Sequence, residues 1–311
     1  MSTSRNQNQE SPGPVRSQKI GLLLSGGAAR GAFQAGVVSA FARAEIQFEA
    51  IVGTSVGAVN GGALLVGRGS ELVSLWRENL RQETWFDARL MLRGRSPFCI
   101  SEAMRVMVDR YGDVPKILDH PTELLISTTQ WATRRNVLFS THDGRDWTEE
   151  ERILQFLASL TIPWICTEKV VIRGERYCDG SLSENMPFTP LVDRGCDHIV
   201  VVDPSPLLRS WRHRVLLPLK SFFGSLPFST TRVAAGLIHA LTQAPPVFPD
   251  DLQVTWLTPP PKIGARALDF RSLDVIDEGL EAGILAGEQW VASLRGGERS
   301  MENQQEIRSG E

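Results

Sequence analysis

The feature that most constrains this chain is an apolar run that ends in a glycine-flanked serine and passes directly into a helix pattern. Residues 51–57 read Ile-Val-Gly-Thr-Ser-Val-Gly, and small residues continue to Val66. A strand that enters a helix at once needs a tight, strained turn, and Gly53 and Gly57 remove the side chains that would block it. Negative charge is favoured beside the first amides of a helix. Ser55 is therefore predicted to be a nucleophile, against the alternative of a serine in an ordinary glycine turn.

The order of elements around this turn predicts an α/β fold. A strand over 19–24, a helix over 32–44, a strand over 48–52 and a helix over 56–66 alternate along the chain. This order builds a mainly parallel sheet covered by helices. Short apolar runs predict later strands, and amphipathic patterns predict later helices. The later strands are 123–128, 137–140, 169–172 and 198–202, and the later helices are 70–80, 101–111 and 149–159.

Four segments are expected along the chain. Residues 1–17 and 296–311 lack a hydrophobic period and are predicted to be disordered. Residues 18–204 form the predicted α/β core, and 205–295 form a helical C-terminal part packed on that core. The sequence indicates no oligomeric state.

Composition excludes several classes of partner and cofactor. A net charge of −3 gives no global reason to bind nucleic acid. The four cysteines form no CxxC pair and have no metal-ligand spacing with histidine, so no disulfide framework, metal site or cofactor is expected. There is no signal-peptide pattern and no run of 18 apolar residues. A cytoplasmic protein, at most peripheral at membranes, is the expectation.

One segment departs from the acidic character of the chain. Residues 204–249 contain arginines and a lysine, no Asp or Glu, and several aromatic and leucine side chains. One interpretation is a helical cap whose arginines are simply solvated. The other is a membrane-facing surface over 209–232, in which apolar side chains enter the bilayer and cations meet anionic headgroups.

A loop of small residues follows the first strand. Ser25-Gly26-Gly27-Ala28-Ala29-Arg30-Gly31 allows consecutive amides to point at one anion. The spacing does not fit a dinucleotide-binding or phosphate-binding loop. An oxyanion hole, whose amides hold the charge that develops on an attacked carbonyl, is the better interpretation. Two strand-end turns of one parallel sheet open at the same edge, so this loop and Ser55 are expected to face one substrate.

A nucleophilic serine needs a base, and two kinds are open. The five histidines, at 120, 142, 198, 213 and 239, stand in no recognisable catalytic frame. The alternative is a carboxylate, and Asp179-Gly180 lies in a predicted polar loop after a turn at 173–176. Asp-Gly is also common in ordinary hairpin turns.

Taken together, the glycine loop with Arg30, Gly-Thr-Ser-Val-Gly and Asp179-Gly180 resemble the patatin-like phospholipases. The segments 159–163 and 184–187, which flank Asp179, and the strand 195–202 match the pattern of the family as well. The resemblance implies a three-layer α/β/α fold and a Ser–Asp dyad, with Ser55 as nucleophile and Asp179 as base. It also implies an oxyanion hole made by the amides of Gly26, Gly27 and Ala28, supported by Arg30, Gly31, Gly53, Gly57 and Gly180. Ala28 is a departure, because the family most often has glycine there.

The resemblance implies a lipid acyl hydrolase of the phospholipase A or lysophospholipase type that works through an acyl-enzyme. Its substrate would be a phospholipid or lysophospholipid. Two alternatives stay open. An acyltransferase would pass the same acyl group to an acceptor other than water. A membrane-binding regulatory module would use the basic segment and keep only a weak dyad.

Overall fold

The computed structural model describes residues 18–81, 113–163, 166, 168–205, 246–260, 263 and 273–309, with side chains omitted at 79–81, 114 and 297–309. It confirms the α/β fold, with a mostly parallel sheet between helices. The strands are β1 Ile20–Leu24, β2 Ala50–Thr54, β3 Glu123–Gln130, β4 Asn136–Ser140, β5 Val170–Ile172, β6 Glu175–Asp179, β7 His198–Val202 and β8 Gln253–Leu257. The helices are α1 Gly31–Arg43, α2 Val56–Leu65, α3 Leu72–Arg81, α4 Val114–Leu118, α5 Glu149–Leu160, α6 Thr189–Asp193 and α7 Leu273–Ser309.

The parallel part of the sheet has the order β3-β2-β1-β7-β8. Each strand in this part pairs in parallel with its neighbours, so the carboxyl ends of these strands lie at one edge of the sheet. β4 and β6 both run antiparallel to β3, and β5 pairs with β6. Ser55 and the glycine loop therefore open at the same edge, as the sequence predicts.

Both faces of the sheet are covered, which explains why its central strands are apolar without alternation. Leu22, Leu24 and Ile51 belong to a large cluster with side chains of α1, α2, α5 and α7. Leu23 and Val52 face the opposite side, where they pack with α6 and the stretch before β8.

The longest helix, α7, packs against α1 with almost no space between the two backbones. A Cβ on Gly36 would lie 2.2 Å from the carbonyl oxygen of Leu280, and one on Gly283 would lie 2.0 Å from that of Phe33. Further along, the rings of Phe41 and Trp290 pack with centroids 4.9 Å apart. Glycines thus set the separation of the two helices, and aromatic rings fill the wider end.

The C-terminal part differs from its prediction in two ways. It contributes β8, which pairs in parallel with β7 along its whole length, so the sheet continues beyond the expected core boundary at 204. In addition, the backbone of α7 stays helical to Ser309, through most of the tail predicted to be disordered. Glu, Gln, Met and Arg are good helix formers and can extend a helix that is anchored by its packed first half.

The region before Asp179 is a strand rather than the predicted polar loop. β5 and β6 form a hairpin whose two-residue turn is Arg173-Gly174, with φ of 49° and 83°. Two central residues with positive φ match the right-handed twist of a hairpin. Polar side chains at Glu175 and Arg176 concealed this strand, because only part of β6 is buried.

Several expectations lie outside the described residues. These are the disordered segment 1–17, the helix over 101–111 and nearly all of the basic segment, including 209–232.

Packing of α1 on α7 generates a prediction about stability. Gly283→Ala is expected to lower the free energy of unfolding by about 1–3 kcal/mol, because its methyl group overlaps the Phe33 carbonyl. Gly296→Ala is the matched control, since a Cβ there meets nothing within 4 Å and alanine favours the helix by about 0.5–1 kcal/mol. Urea unfolding of both variants measures the difference. Equal stabilities would show that the two helices do not pack this closely.

Candidate functional site

The Ser55 turn is strained in the way its neighbouring glycines predict. Ser55 lies between β2 and α2 with φ 56° and ψ −127°, a conformation that a residue with a side chain rarely adopts. A Cβ on Gly53 would lie 2.5 Å from Cα of Ala58, and one on Gly57 would lie 2.3 Å from the carbonyl oxygen of Leu24. Both glycines are therefore required by close backbone approach.

A buried serine from α5 holds this turn in place. The Ser55 amide donates to Ser159 Oγ at 2.8 Å, and the Ser159 hydroxyl donates to the carbonyl oxygen of Ser127 at 2.7 Å. Ser159 is fully buried, so each of these hydrogen bonds is made away from water. Ser159 thus links the nucleophile turn to β3 and helps to offset the strain at Ser55.

The pairing of β3 places Asp179 next to Ser55. Ser127 pairs with Thr54 of β2, the residue before Ser55, and the next residue, Thr128, pairs with Asp179. β4 occupies the other side of β3 at both positions. β6 therefore takes over the edge of β3 at the point where β2 leaves it, and Asp179 follows directly beyond the end of β2.

Gly180 allows this close approach. A Cβ at Gly180 would lie 2.3 Å from Ser127 Oγ and 2.6 Å from the Ser127 carbonyl oxygen. The Asp-Gly pair is thus explained by packing against β3, and the hairpin turn of this region lies earlier, at 173–174.

The Asp179 carboxyl is fully buried and has an unusual pKa. Burial raises its pKa to about 6, while the Ser55 hydroxyl and the Ser181 amide lower it by hydrogen bonding. Oδ1 accepts from the Ser181 amide at 2.8 Å. Oδ2 has no partner with full hydrogen-bond geometry among the described residues, so it is the oxygen available to the Ser55 hydroxyl. Hydrogen bonds between a nucleophile and its base are often long in free enzymes and shorten when substrate binds.

The glycine loop lies directly against the nucleophile. A Cβ on Gly26 would be 3.3 Å from Cβ of Ser55. However, the Gly26 amide donates to Oδ1 of Asn185 at 2.8 Å, which differs from its predicted place in the oxyanion hole. The amides of Gly27 and Ala28 donate to no acceptor among the described residues, and they stay the predicted oxyanion donors.

Ala28 stands where the family most often has glycine, and its backbone adopts a conformation that favours glycine. Its φ is 52°, in the left-handed region, where an alanine costs about 1–2 kcal/mol. The loop therefore keeps its conformation and carries strain at Ala28.

Arg30 and Gly31, at the start of α1, stabilise the glycine loop. Arg30 is buried, and its Nε donates to the carbonyl oxygen of Gly27 at 3.4 Å. A Cβ on Gly31 would lie 2.6 Å from the Val56 side chain, so the first turns of α1 and α2 are in contact. Beneath them, the Gln34 amide donates to the Ser25 carbonyl oxygen at 2.6 Å and fixes the start of the loop.

The described histidines lie at the edge of the sheet opposite to Ser55. His198 begins β7, and His120 precedes β3, so both lie at the amino ends of parallel strands. His142 contacts the carbonyl oxygen of His120 through Nε2 at 2.8 Å and lies at the same edge. Of the two bases that the sequence left open, the described residues bring only the carboxylate to the serine.

The described residues lack two further features. Within them no group of three His, Cys, Asp or Glu side chains is arranged to hold a metal ion. No helix in the same residues has the length and apolar content needed to cross a membrane.

Comparison with known proteins identifies the family. The sequence profile of the patatin-like phospholipases matches residues 22–192, more than half of the chain. This chain belongs to the patatin-like phospholipase family. The match spans the glycine loop, the Ser55 turn and the Asp179 strand, the three motifs on which the resemblance rested.

Three individual proteins are similar to this chain over more than half of its length. Lysophospholipase nte1 of Aspergillus terreus is 30% identical over 196 residues, which cover 60% of this chain and 12% of that protein. YjjU of Escherichia coli K12, an uncharacterized protein, is 23% identical over 295 residues, which cover 90% of this chain and 79% of YjjU. The crystal structure of VipD from Legionella pneumophila aligns with a TM-score of 0.47 and 13% identity, over 88% of this chain and 67% of that one. This patatin-like chain thus corresponds to 12% of the length of the fungal lysophospholipase.

Sequence reasoning did not assign roles to Ser159 and Asn185, although both lie in segments that resemble the family. No period or spacing signals a serine near the end of a helix as a support for a distant turn. Asn185 is likewise 159 residues from the Gly26 amide that it accepts. Only the sheet pairing brings these partners together.

The strain at Ala28 generates a prediction. Ala28→Gly is expected to raise the free energy of unfolding by about 0.5–1 kcal/mol, because relief of the left-handed strain exceeds the entropy that glycine adds to the unfolded chain. Ala29→Gly is the matched control, since Ala29 has no positive φ, and it should lower stability. Urea unfolding of both variants measures the change in the free energy of unfolding. Equal losses in both variants would contradict the positive φ at Ala28.

Proposed function

We propose that this chain is a lipid acyl hydrolase that cleaves fatty-acyl esters through an acyl-enzyme on Ser55. The observation that carries the proposal is that the strained Ser55 lies next to the fully buried carboxylate of Asp179. Consecutive residues of β3 pair with the end of β2 and with Asp179, and this pairing places the two groups together. Membership of the patatin-like phospholipase family supports lipid esters as the substrate class. A lysophospholipase among the relatives supports a phospholipid or lysophospholipid.

In the proposed first step, the Ser55 oxygen attacks the ester carbonyl carbon as the Ser55 proton passes to Oδ2 of Asp179. The amides of Gly27 and Ala28 stabilise the charge that develops on the carbonyl oxygen, and each such donor is typically worth about 3–4 kcal/mol. Asp179 returns the proton to the leaving alcohol. This step leaves the acyl group on Ser55 and the carboxylate ionised.

In the second step, water attacks the acyl carbon and transfers a proton to Asp179. The tetrahedral intermediate collapses, the proton returns to the Ser55 oxygen, and the fatty acid leaves. A carboxyl with a pKa near 6 suits both roles, because it is ionised at neutral pH and still accepts a proton more readily than an exposed aspartate. An acceptor alcohol in place of water would give acyl transfer by the same route.

The dyad generates the principal prediction. Ser55→Ala and Asp179→Asn are each expected to reduce fatty-acid release from lysophospholipid by at least about 1,000-fold, because residues that act as one unit fail together. Release is measured by chromatography of the free fatty acid. Ser293→Ala is the matched control, since Ser293 lies on α7 and, within the described part of the chain, its hydroxyl donates only to the carbonyl oxygen of Trp290.

Three outcomes would contradict the proposal. Full activity of Ser55→Ala would exclude the acyl-enzyme on Ser55. Substantial activity of Asp179→Asn would require another base, and His213 and His239 would then be the candidates to replace. Products that form only with an added acceptor alcohol would identify an acyltransferase.

The pKa of Asp179 generates a prediction for pH dependence. The base must be ionised, so kcat/KM on an uncharged, soluble short-chain ester should be half-maximal near pH 6, level off about one unit above it, and fall about tenfold per unit well below it. An initial-rate profile between pH 4 and pH 8 measures this. A midpoint at the value of an exposed aspartate would show that the carboxyl is not buried during catalysis.

A further inference from the structure

The turn between β3 and β4 carries a stack of two guanidinium groups on one tryptophan. Arg134 and Arg176 lie over the Trp131 ring, each with its central carbon 4.0 Å from the ring centroid. Arg135 follows and is exposed. We call Trp131, Arg134, Arg135 and Arg176 the arginine–tryptophan surface.

The backbone around this surface is well fixed. Trp131 donates from its amide to the carbonyl oxygen of Arg176 at 2.8 Å, and the Gln130 amide donates to that of Arg135 at 3.0 Å. Arg134 adopts a φ of 61°, and its amide donates to the carbonyl oxygen of Gln130 at 2.9 Å. The fold therefore fixes the backbone that carries the three arginines, and stacking on Trp131 fixes the guanidinium groups of Arg134 and Arg176.

The charges of this surface are not neutralised by the described part of the protein. None of its arginines forms an ion pair with a described carboxylate, and Nε of Arg176 is buried without an acceptor there. The neighbouring carboxylate, Glu175, accepts from the side chain of Gln130. Three cations gathered in this way stand out in a chain whose net charge is −3.

A second tryptophan provides an internal comparison. Arg173 also lies 4.0 Å over the Trp147 ring, but its guanidinium is paired with Glu151 at 2.8 Å. Arg152, which lies 5.8 Å from the same ring, is paired with Asp143 at 3.3 Å. The arginines that lie over Trp147 are therefore paired with carboxylates of the same protein. Arg134 and Arg176 stack on Trp131 in the same way, but no carboxylate among the described residues pairs with them.

This surface lies at the same edge of the sheet as the catalytic site. Arg176 precedes Asp179 by three residues on β6, a distance of about 10 Å along a strand. Trp131 follows β3 at the edge where Ser55 opens. A lipid that approaches this edge would pass the arginines.

We infer that the arginine–tryptophan surface binds the face of an anionic phospholipid bilayer and presents it to the catalytic site. Guanidinium groups that stack through their faces still offer N–H edges to phosphate oxygens, and tryptophan favours the headgroup level of a membrane. This inference rests on the proposed function for its purpose, but the binding itself does not require turnover. It is also independent of the basic segment 209–232.

The test measures vesicle binding by the full chain carrying Ser55→Ala, so that the lipid is not consumed. This parent should bind vesicles of equimolar phosphatidylglycerol and phosphatidylcholine more tightly than pure phosphatidylcholine. Adding Arg134→Glu and Arg135→Glu should weaken binding to the anionic vesicles roughly 10- to 30-fold, since each cation near such a surface contributes a several-fold factor. Flotation gives the bound fraction, and thermal unfolding confirms that each variant is folded.

The matched control is Lys19→Glu with Arg43→Glu, which changes the charge equally. Both residues are exposed and lie at the opposite edge of the sheet, in ion pairs with Glu49 and Glu288. The control should bind within about twofold of the parent. Equal losses in the two double variants, no loss in the arginine variant, or no preference for anionic vesicles would each overturn the inference. If the unaltered chain released no fatty acid while the Ser55→Ala parent bound vesicles as expected, that result would count only against the proposed function.

Discussion

The candidate site depends on one edge of β3. Two strands share that edge in succession: β2 pairs as far as Ser127, and β6 pairs from Thr128 onward. β2 and β6 run in opposite directions, and the carboxyl end of each lies at this junction. Ser55 follows the last residue of β2, and Asp179 is the last residue of β6. A slip of one residue in either pairing would turn side chains to the other face of the sheet and separate the two groups. Ser159 and Gly180 both contact Ser127, so the supports of the site converge on this same junction.

Much of the fold could be predicted from local sequence. β1 is apolar throughout, and β2 and β7 are mostly apolar, because both faces of the sheet are covered; α1 and α2 follow glycine turns directly. β6 and β8 were missed because their exposed or polar positions break the apolar pattern, and both are identified only by their pairing with distant strands. The extension of α7 to Ser309 was missed because a helix without a hydrophobic period resembles a disordered segment. Local patterns therefore identify buried elements and miss those that depend on partners.

The same distinction applies to the site. Ser55 could be identified from its glycines, because their purpose is local and steric. Asp179 could be proposed only from resemblance to a family, since Asp-Gly by itself also occurs in ordinary turns. The Gly26 amide illustrates the opposite case: the loop pattern indicated a free donor, but Asn185, from a distant segment, accepts its hydrogen bond. The oxyanion donors that fit the described contacts are thus Gly27 and Ala28, and Ala28 adopts a positive φ that its own side chain disfavours.

The central claim is that buried Asp179 activates Ser55, and covalent labelling tests it most directly. A fluorophosphonate probe, which reacts with activated serines without the need for a correct lipid, is incubated with the unaltered chain and with Asp179→Asn. Peptide mass spectrometry then locates the adduct and measures its rate of formation. The account predicts a single adduct on Ser55 that forms at least about 100-fold more slowly in Asp179→Asn. An adduct on another serine, or labelling of Ser55 at the same rate in both proteins, would contradict it.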